Sequence, residues 1–174
     1  LNFLHNYTDL GYGSYILFML IGTALTILIQ SSSATMALTL VMCANGWIGY
    51  DIAASMVLGE NIGTTITANL AAMVANTTAK RAAFAHFLFN LFGVMWVLAI
   101  FPLFLGWVAQ LSIHLGIGNP FNNVESVPVA LSLFHTCFNV ANVFLLIWFT
   151  KVIAQLVSRI IKSKESSDDA FTLK

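Results

Sequence analysis

The chain has 174 residues, 59% hydrophobic and 8% charged, with a formal net charge of zero. A soluble domain carries roughly 25% charged residues, so this composition excludes an ordinary soluble fold and indicates an all-α integral membrane protein whose long apolar runs satisfy their own backbone. The zero net charge leaves no electrostatic footprint for nucleic acid.

Residues 1–14 are polar and turn-rich and read as a connector at the membrane surface, with Tyr12 and Tyr15 suited to the headgroup level. The opening LNFLHNYTDL has neither an initiator Met nor a signal-peptide pattern, so the chain is expected to be a piece of a longer protein. The next element, residues 15–44, is almost wholly apolar except for a polar island in its middle, Gln30-Ser31-Ser32-Ser33. Its arms of about 15 and 11 residues would be about 22 Å and 16 Å long, each short of a hydrocarbon core of about 30 Å. Either the segment is a re-entrant hairpin turning at the island, or it is one long interrupted helix. An amide and three hydroxyls buried unpaired would cost several kcal/mol, on the order of 2 or more each, so the island needs partners, water or a ligand. Asn45–Asp51 follows as a surface turn.

Residues 52–75 form a second apolar element, with Gly59-Glu60-Asn61-Ile62-Gly63-Thr64-Thr65 near its middle. Two glycines and a cluster of neutral oxygens and amides predict a discontinuous helix here. Scattered Thr and Asn in membrane helices ordinarily bond back to their own helix carbonyls; two dense clusters at mid-span argue for more. Asn76–Arg81 is a polar loop holding the basic pair Lys80 and Arg81. Residues 82–106 read as a full-length transmembrane helix with Pro102 near its end, and 107–127 as an interfacial helix and a Gly/Pro/Asn loop. A second full-length helix spans 128–150, led by Pro128. The expected organisation is therefore a connector over 1–14, a transmembrane domain over 15–152, and a basic then polar cytoplasmic tail over 153–174.

The basic residues give a self-consistent orientation. With Lys80 and Arg81 in the cytoplasm, the 82–106 helix runs outward, 107–127 lies outside without Lys or Arg, and the 128–150 helix returns to deliver Lys151, Arg159, Lys162 and Lys164 inside. Asn6-Tyr7-Thr8 and Asn76-Thr77-Thr78 match the glycosylation pattern, but the second then faces the cytoplasm. Cys43 and Cys137 read as small buried hydrophobes.

An internal echo links two helices. His86-Phe87-Leu88-Phe89-Asn90 and His135-Thr136-Cys137-Phe138-Asn139 both read H-x-x-F-N. His and Asn at i and i+4 share a helix face; the pairs either lock helix packing by hydrogen bonds or flank a transport path.

Helices that break inside a membrane expose amides at one stump, which suit an anion, and carbonyls at the other, which suit a small cation. Two facing breaks would hold an anion with a co-transported cation, as expected of a secondary transporter. There is no Walker loop and no base beside Ser31–Ser33, so neither ATP-driven transport nor an enzyme activity is expected.

Gln30-Ser31-Ser32-Ser33-Ala34-Thr35, followed by Gly59-x-Asn61-Ile62-Gly63-Thr64-Thr65, resembles the type II sodium/phosphate cotransporters, bacterial branch. Their hallmark is QSSS plus G-[AS]-N-I-G-T in each of two inverted repeats. The likeness extends through Lys80-Arg81-Ala82 and both H-x-x-F-N stretches and fits the second repeat. It implies sodium-coupled symport of inorganic phosphate by a multi-pass protein of the plasma membrane, with sodium as coupling ion and no other cofactor. Carried over by residue, it implies a substrate site of Gln30, Ser31, Ser32, Ser33, Asn61, Thr64 and Thr65. It implies sodium ligands among Gln30, Ser32, Ser33, Glu60, Asn61 and Thr64, and no other metal. Since the family pairs two repeats, the remaining half would come from a first repeat outside this chain or from a second copy in a homodimer. Glu60 departs from the small residue usual at its position. It would aid cation binding, titrate, or merely reach a water-filled vestibule, and its charge would repel an anion. Symport of another oxyanion or organic anion, and a non-transporting binding module, are the alternative functions.

Overall fold

The computed structural model describes residues 11–162, and every regular element in that range is helical. The first sequon, Asn6-Tyr7-Thr8, most of the 1–14 connector and the polar end of the tail lie outside the described residues. In order the elements are α1 (Tyr12–Ile29), α2 (Ser32–Ala44), α3 (Tyr50–Ala72), α4 (Thr77–Ala99), α5 (Phe101–His114), α6 (Val127–Leu146) and α7 (Thr150–Ile160). Short 3-10 turns, Val124–Ser126 and Ile147–Phe149, flank α6. Three stretches are long and apolar enough to cross a membrane: Tyr12–Ile29, Thr77–Ala99 and Val124–Ile160.

The first apolar element folds as a hairpin. Gln30 adopts the left-handed conformation at φ 57° and donates its N–H to the Thr26 carbonyl, closing α1. Ser31 is extended, and its Oγ accepts the Ala34 N–H at 3.3 Å, opening α2. Both steps are ordinary end chemistry, a left-handed C-cap and a serine N-cap, compressed into two residues. Contacts with α3 fix the directions. Tyr15 Oη donates to Asp51 Oδ2 at 3.3 Å and Thr23 Oγ1 donates to the Gly59 carbonyl at 3.0 Å, so α1 runs parallel to α3. Ser32 and Met36 face Asn61 and Thr64 across one cavity, whereas Cys43 lies with Tyr50 and Asp51. α2 therefore runs antiparallel to α3, and Tyr15 and Asn45 end on the same side.

α3 is the central element: Ile52 through Glu60 are all buried. Its seam with α1 is built from small residues. A Cβ on Gly22 would strike the Met56 backbone, one on Gly59 the Met19 carbonyl, and one on Gly63 the Thr26 side chain. Backbones this close gain packing that lipid tails cannot replace.

α4 and α6 cross where Gly93 meets Asn142. The buried Asn142 side chain donates to the Phe89 carbonyl at 3.3 Å and accepts Trp96 Nε1–H at 3.4 Å. An aromatic cluster fastens α5: Phe104 sits edge-on to Trp96 and to Phe134, and Phe101 edge-on to Phe134 and to Tyr15. α7 buries Ile153 and Val157, and Arg81 Nε donates to the Ile161 carbonyl at 2.9 Å. The start of α4 and the basic end of the chain thus share one end of the bundle, as the charge pattern requires.

Three expectations are corrected. The discontinuous helix over the second element does not occur: α3 runs unbroken through Gly59–Thr65. Its glycines serve the α1 seam, and its polar side chains bond back along the helix. Asn61 donates to the Val57 carbonyl, Thr64 to that of Glu60, Thr65 to that of Ile62 and Thr67 to that of Thr64. The 82–106 helix is two elements, because α4 ends at Ala99 and Pro102 stands in the first turn of α5. The interfacial helix expected from 107 onward is the second half of α5, which buries Phe104, Leu105, Val108 and Ser112 at helical spacing.

Candidate functional site

The hairpin tip supplies the first wall. Its hydroxyls are partly engaged with one another: Ser31 Oγ and Ser33 Oγ lie 3.2 Å apart, and Thr35 Oγ1 donates to the Ser31 carbonyl at 3.0 Å. The first-turn amides of Ser32 and Ser33 have no helical acceptor of their own, so the tip offers N–H and O–H donors together at the positive end of α2.

The middle of α3 supplies the second wall. Glu60 is 3% exposed and accepts the Thr39 hydroxyl at Oε1, 2.8 Å away. Asn61 uses Nδ2 on the Val57 carbonyl at 2.8 Å, which turns Oδ1 toward His135 Nε2 at 3.3 Å. An amide oxygen only accepts, so His135 Nε2 carries the proton of this bond.

α4 and α6 supply the rest. Asn90 donates to the His86 carbonyl at 3.1 Å and Asn139 to the His135 carbonyl at 2.8 Å, the same i to i+4 arrangement on each helix. Both pairs face a cavity of about 420 Å³, which Ser32, Ser33, Met36, Glu60, Asn61, Thr64 and Phe89 also line. This volume lies within the range of small-ligand sites. Among the described residues, its lining contains no lysine or arginine.

The expected site residues divide accordingly. Ser32, Ser33, Glu60, Asn61 and Thr64 converge on the cavity. Gln30 is exposed at the turn and Ser31 is committed to capping α2, so both shape the tip without lining it. Thr65 is fully buried with its hydroxyl on the Ile62 carbonyl, away from the cavity lining. Met36, His86, Phe89, Asn90, His135 and Asn139 were not among the expected site residues. The H-x-x-F-N echo was the signal that could have placed four of these polar groups in the lining.

The family model described as Na+/Pi-cotransporter matches residues 4–119, which hold the serine tip, all of α3 and the first H-x-x-F-N pair. The chain belongs to the Na+/Pi-cotransporter family. The uncharacterized protein YqeW of Bacillus subtilis is 36% identical over 146 residues, 84% of this chain and 44% of the relative. A Salmonella typhimurium protein named "Putative inorganic phosphate export protein YjbB" is 28% identical over 156 residues, 90% of this chain and 26% of its own length. Sodium-dependent phosphate transport protein 2C of Rattus norvegicus is 43% identical over 89 residues, 49% of this chain and 15% of that protein. The chain thus spans less than half the length of these curated relatives. No solved structure matches it.

Proposed function

We propose that the chain forms one half of a sodium-coupled symporter of inorganic phosphate in the cell membrane, with the cavity between α2, α3, α4 and α6 as part of the substrate site. The observation that carries this reading is the meeting of the serine tip, the centre of α3 and both H-x-x-F-N pairs around one polar cavity. Ser32 and Ser33 would donate to phosphate oxygens from the start of α2, where the helix dipole favours an anion. Hydroxyl and amide oxygens of Ser32, Ser33, Asn61 and Thr64 would serve sodium, a hard cation that takes neutral oxygen ligands. His86 adds a ring N–H donor for an anion, while the His135 Nε2–H is held by Asn61. A first repeat, or a second copy of the chain, would complete the site and the transport path.

Labelled phosphate binding to the full-length protein in sodium-containing liposomes tests this. Replacing Ser33 with Ala removes a donor to a charged ligand, a loss of about 1.5–3 kcal/mol or roughly 10–100-fold in affinity. Ser132→Ala, an exposed hydroxyl on α6 outside the cavity lining, should leave affinity unchanged. Equal effects of the two substitutions would count against the site, and no sodium-dependent phosphate binding by the parent protein would count against the function.

A further inference from the structure

Glu60 is the one carboxylate in the cavity lining among the described residues. Two carboxylate oxygens offer about four acceptor positions, and the Thr39 hydroxyl takes one of them, on Oε1. The Tyr50 hydroxyl is the one side-chain polar atom among the described residues that is both sealed from solvent and unpartnered, so the second oxygen of Glu60 is open to the cavity. No lysine or arginine stands beside it in the lining. The titratable groups across the space are His86 on α4 and His135 on α6, and the latter directs Nε2–H to Asn61. One hydrogen of each lining amide, from Asn61, Asn90 and Asn139, is already on a backbone carbonyl, as is the Thr64 hydroxyl.

An oxyanion entering this cavity therefore meets donors at Ser32, Ser33 and His86, and at Glu60 a carboxylate that in its ionised form only accepts. An anion made wholly of acceptor oxygens places one of them against that carboxylate and gains nothing there but repulsion. An anion that keeps a hydroxyl can turn it toward Glu60 and form a charge-assisted O–H···O bond. Sites built to hydrogen-bond a substrate hydroxyl reject the analogue lacking it by large factors, about 10⁴–10⁵ where measured in other systems.

We infer that Glu60 determines specificity in the anion site: its carboxylate accepts a hydrogen bond from the hydroxyl of a hydroxyl-bearing oxyanion, phosphate or arsenate, and excludes oxyanions without one, such as sulfate. The inference rests on the proposed reading that an anion binds in this cavity, and it gives the carboxylate a reason to stand beside an anion.

The test is competition against labelled phosphate in sodium-containing liposomes bearing the full-length protein. For the parent protein, arsenate should compete and sulfate should be weaker by at least about 100-fold. In Glu60→Gln the amide can donate to a sulfate oxygen, so phosphate should bind more weakly and the sulfate-to-phosphate discrimination should shrink at least tenfold. Glu60→Asp keeps an acceptor-only group and should keep the discrimination. Should Glu60→Gln not fold, Glu60→Ser gives the same readout. Undiminished discrimination in Gln or Ser, or a shift in sodium dependence alone, overturns the inference and leaves phosphate binding standing. A parent protein that neither binds nor exchanges phosphate overturns the underlying reading as well.

Discussion

At the residue scale, Gln30 is the position where geometry and chemistry conflict most. It is the one non-glycine residue with positive φ among the described residues, and the left-handed conformation costs an L-residue roughly 1–2 kcal/mol. Glycine would turn the chain more easily, so the glutamine stands here against a local cost, a pattern that concentrates at functional sites. Gln30→Gly should raise the thermal stability of the purified protein by up to about 1 kcal/mol, once the greater freedom of glycine in the unfolded chain is subtracted. It should lower phosphate transport if the amide serves the site. Lower stability would mean that the side chain makes contacts the turn depends on; full transport would make Gln30 a capping residue only. The role of Ser31 was legible only in part. Its place in the island was evident, but its use as the α2 cap depends on where the turn falls, and that depends on two residues of backbone geometry.

At the element scale, the α1–α3 seam sets where the tip meets Glu60 and Asn61. Gly22, Gly59 and Gly63 let the two parallel helices touch backbone to backbone. Gly59→Val puts a branched side chain against the Met19 carbonyl and should destabilise the protein by about 1–3 kcal/mol or more, read as a lower midpoint in thermal unfolding. An unchanged midpoint would mean that the helices are not in this contact. The same glycines explain why sequence reading predicted a break in α3. Glycine in a polar mid-membrane stretch signals either backbone freedom or close approach, and the residue pattern alone does not separate them; only the partner helix does. The back-bonded Asn61, Thr64, Thr65 and Thr67 make the same point, since a polar cluster needs no break when each side chain reaches a carbonyl of its own helix. The hairpin was legible as one of two readings because each arm was too short to span alone. The split of 82–106 at Ile100 was signalled by Pro102, which favours the first turn of a new helix over the end of an old one.

At the scale of the whole molecule, the basic residues and the helix directions agree. Lys80 and Arg81 share an end with α7, while the α1 start, the α2 end and the α6 start gather at the other, where Tyr15 meets Asp51 and Cys43 lies near Val127. The serine tip consequently points toward the basic end and stops at the level of Glu60–Thr64, about midway along α3. This arrangement explains how so few formal charges can define a site: α2 contributes its amides, α3 one carboxylate, and α4 and α6 the same His–Asn pair in opposite directions. The H-x-x-F-N echo was visible in the residues, but the fold was needed to show that its two copies face one space. The central claim is coupling, and uptake of labelled phosphate by proteoliposomes of the full-length protein under an inward sodium gradient tests it most directly. Concentrative uptake that collapses when sodium is replaced by potassium and that falls with Ser33→Ala is the expected result. Uptake indifferent to the sodium gradient, or no phosphate movement at all, would contradict the account.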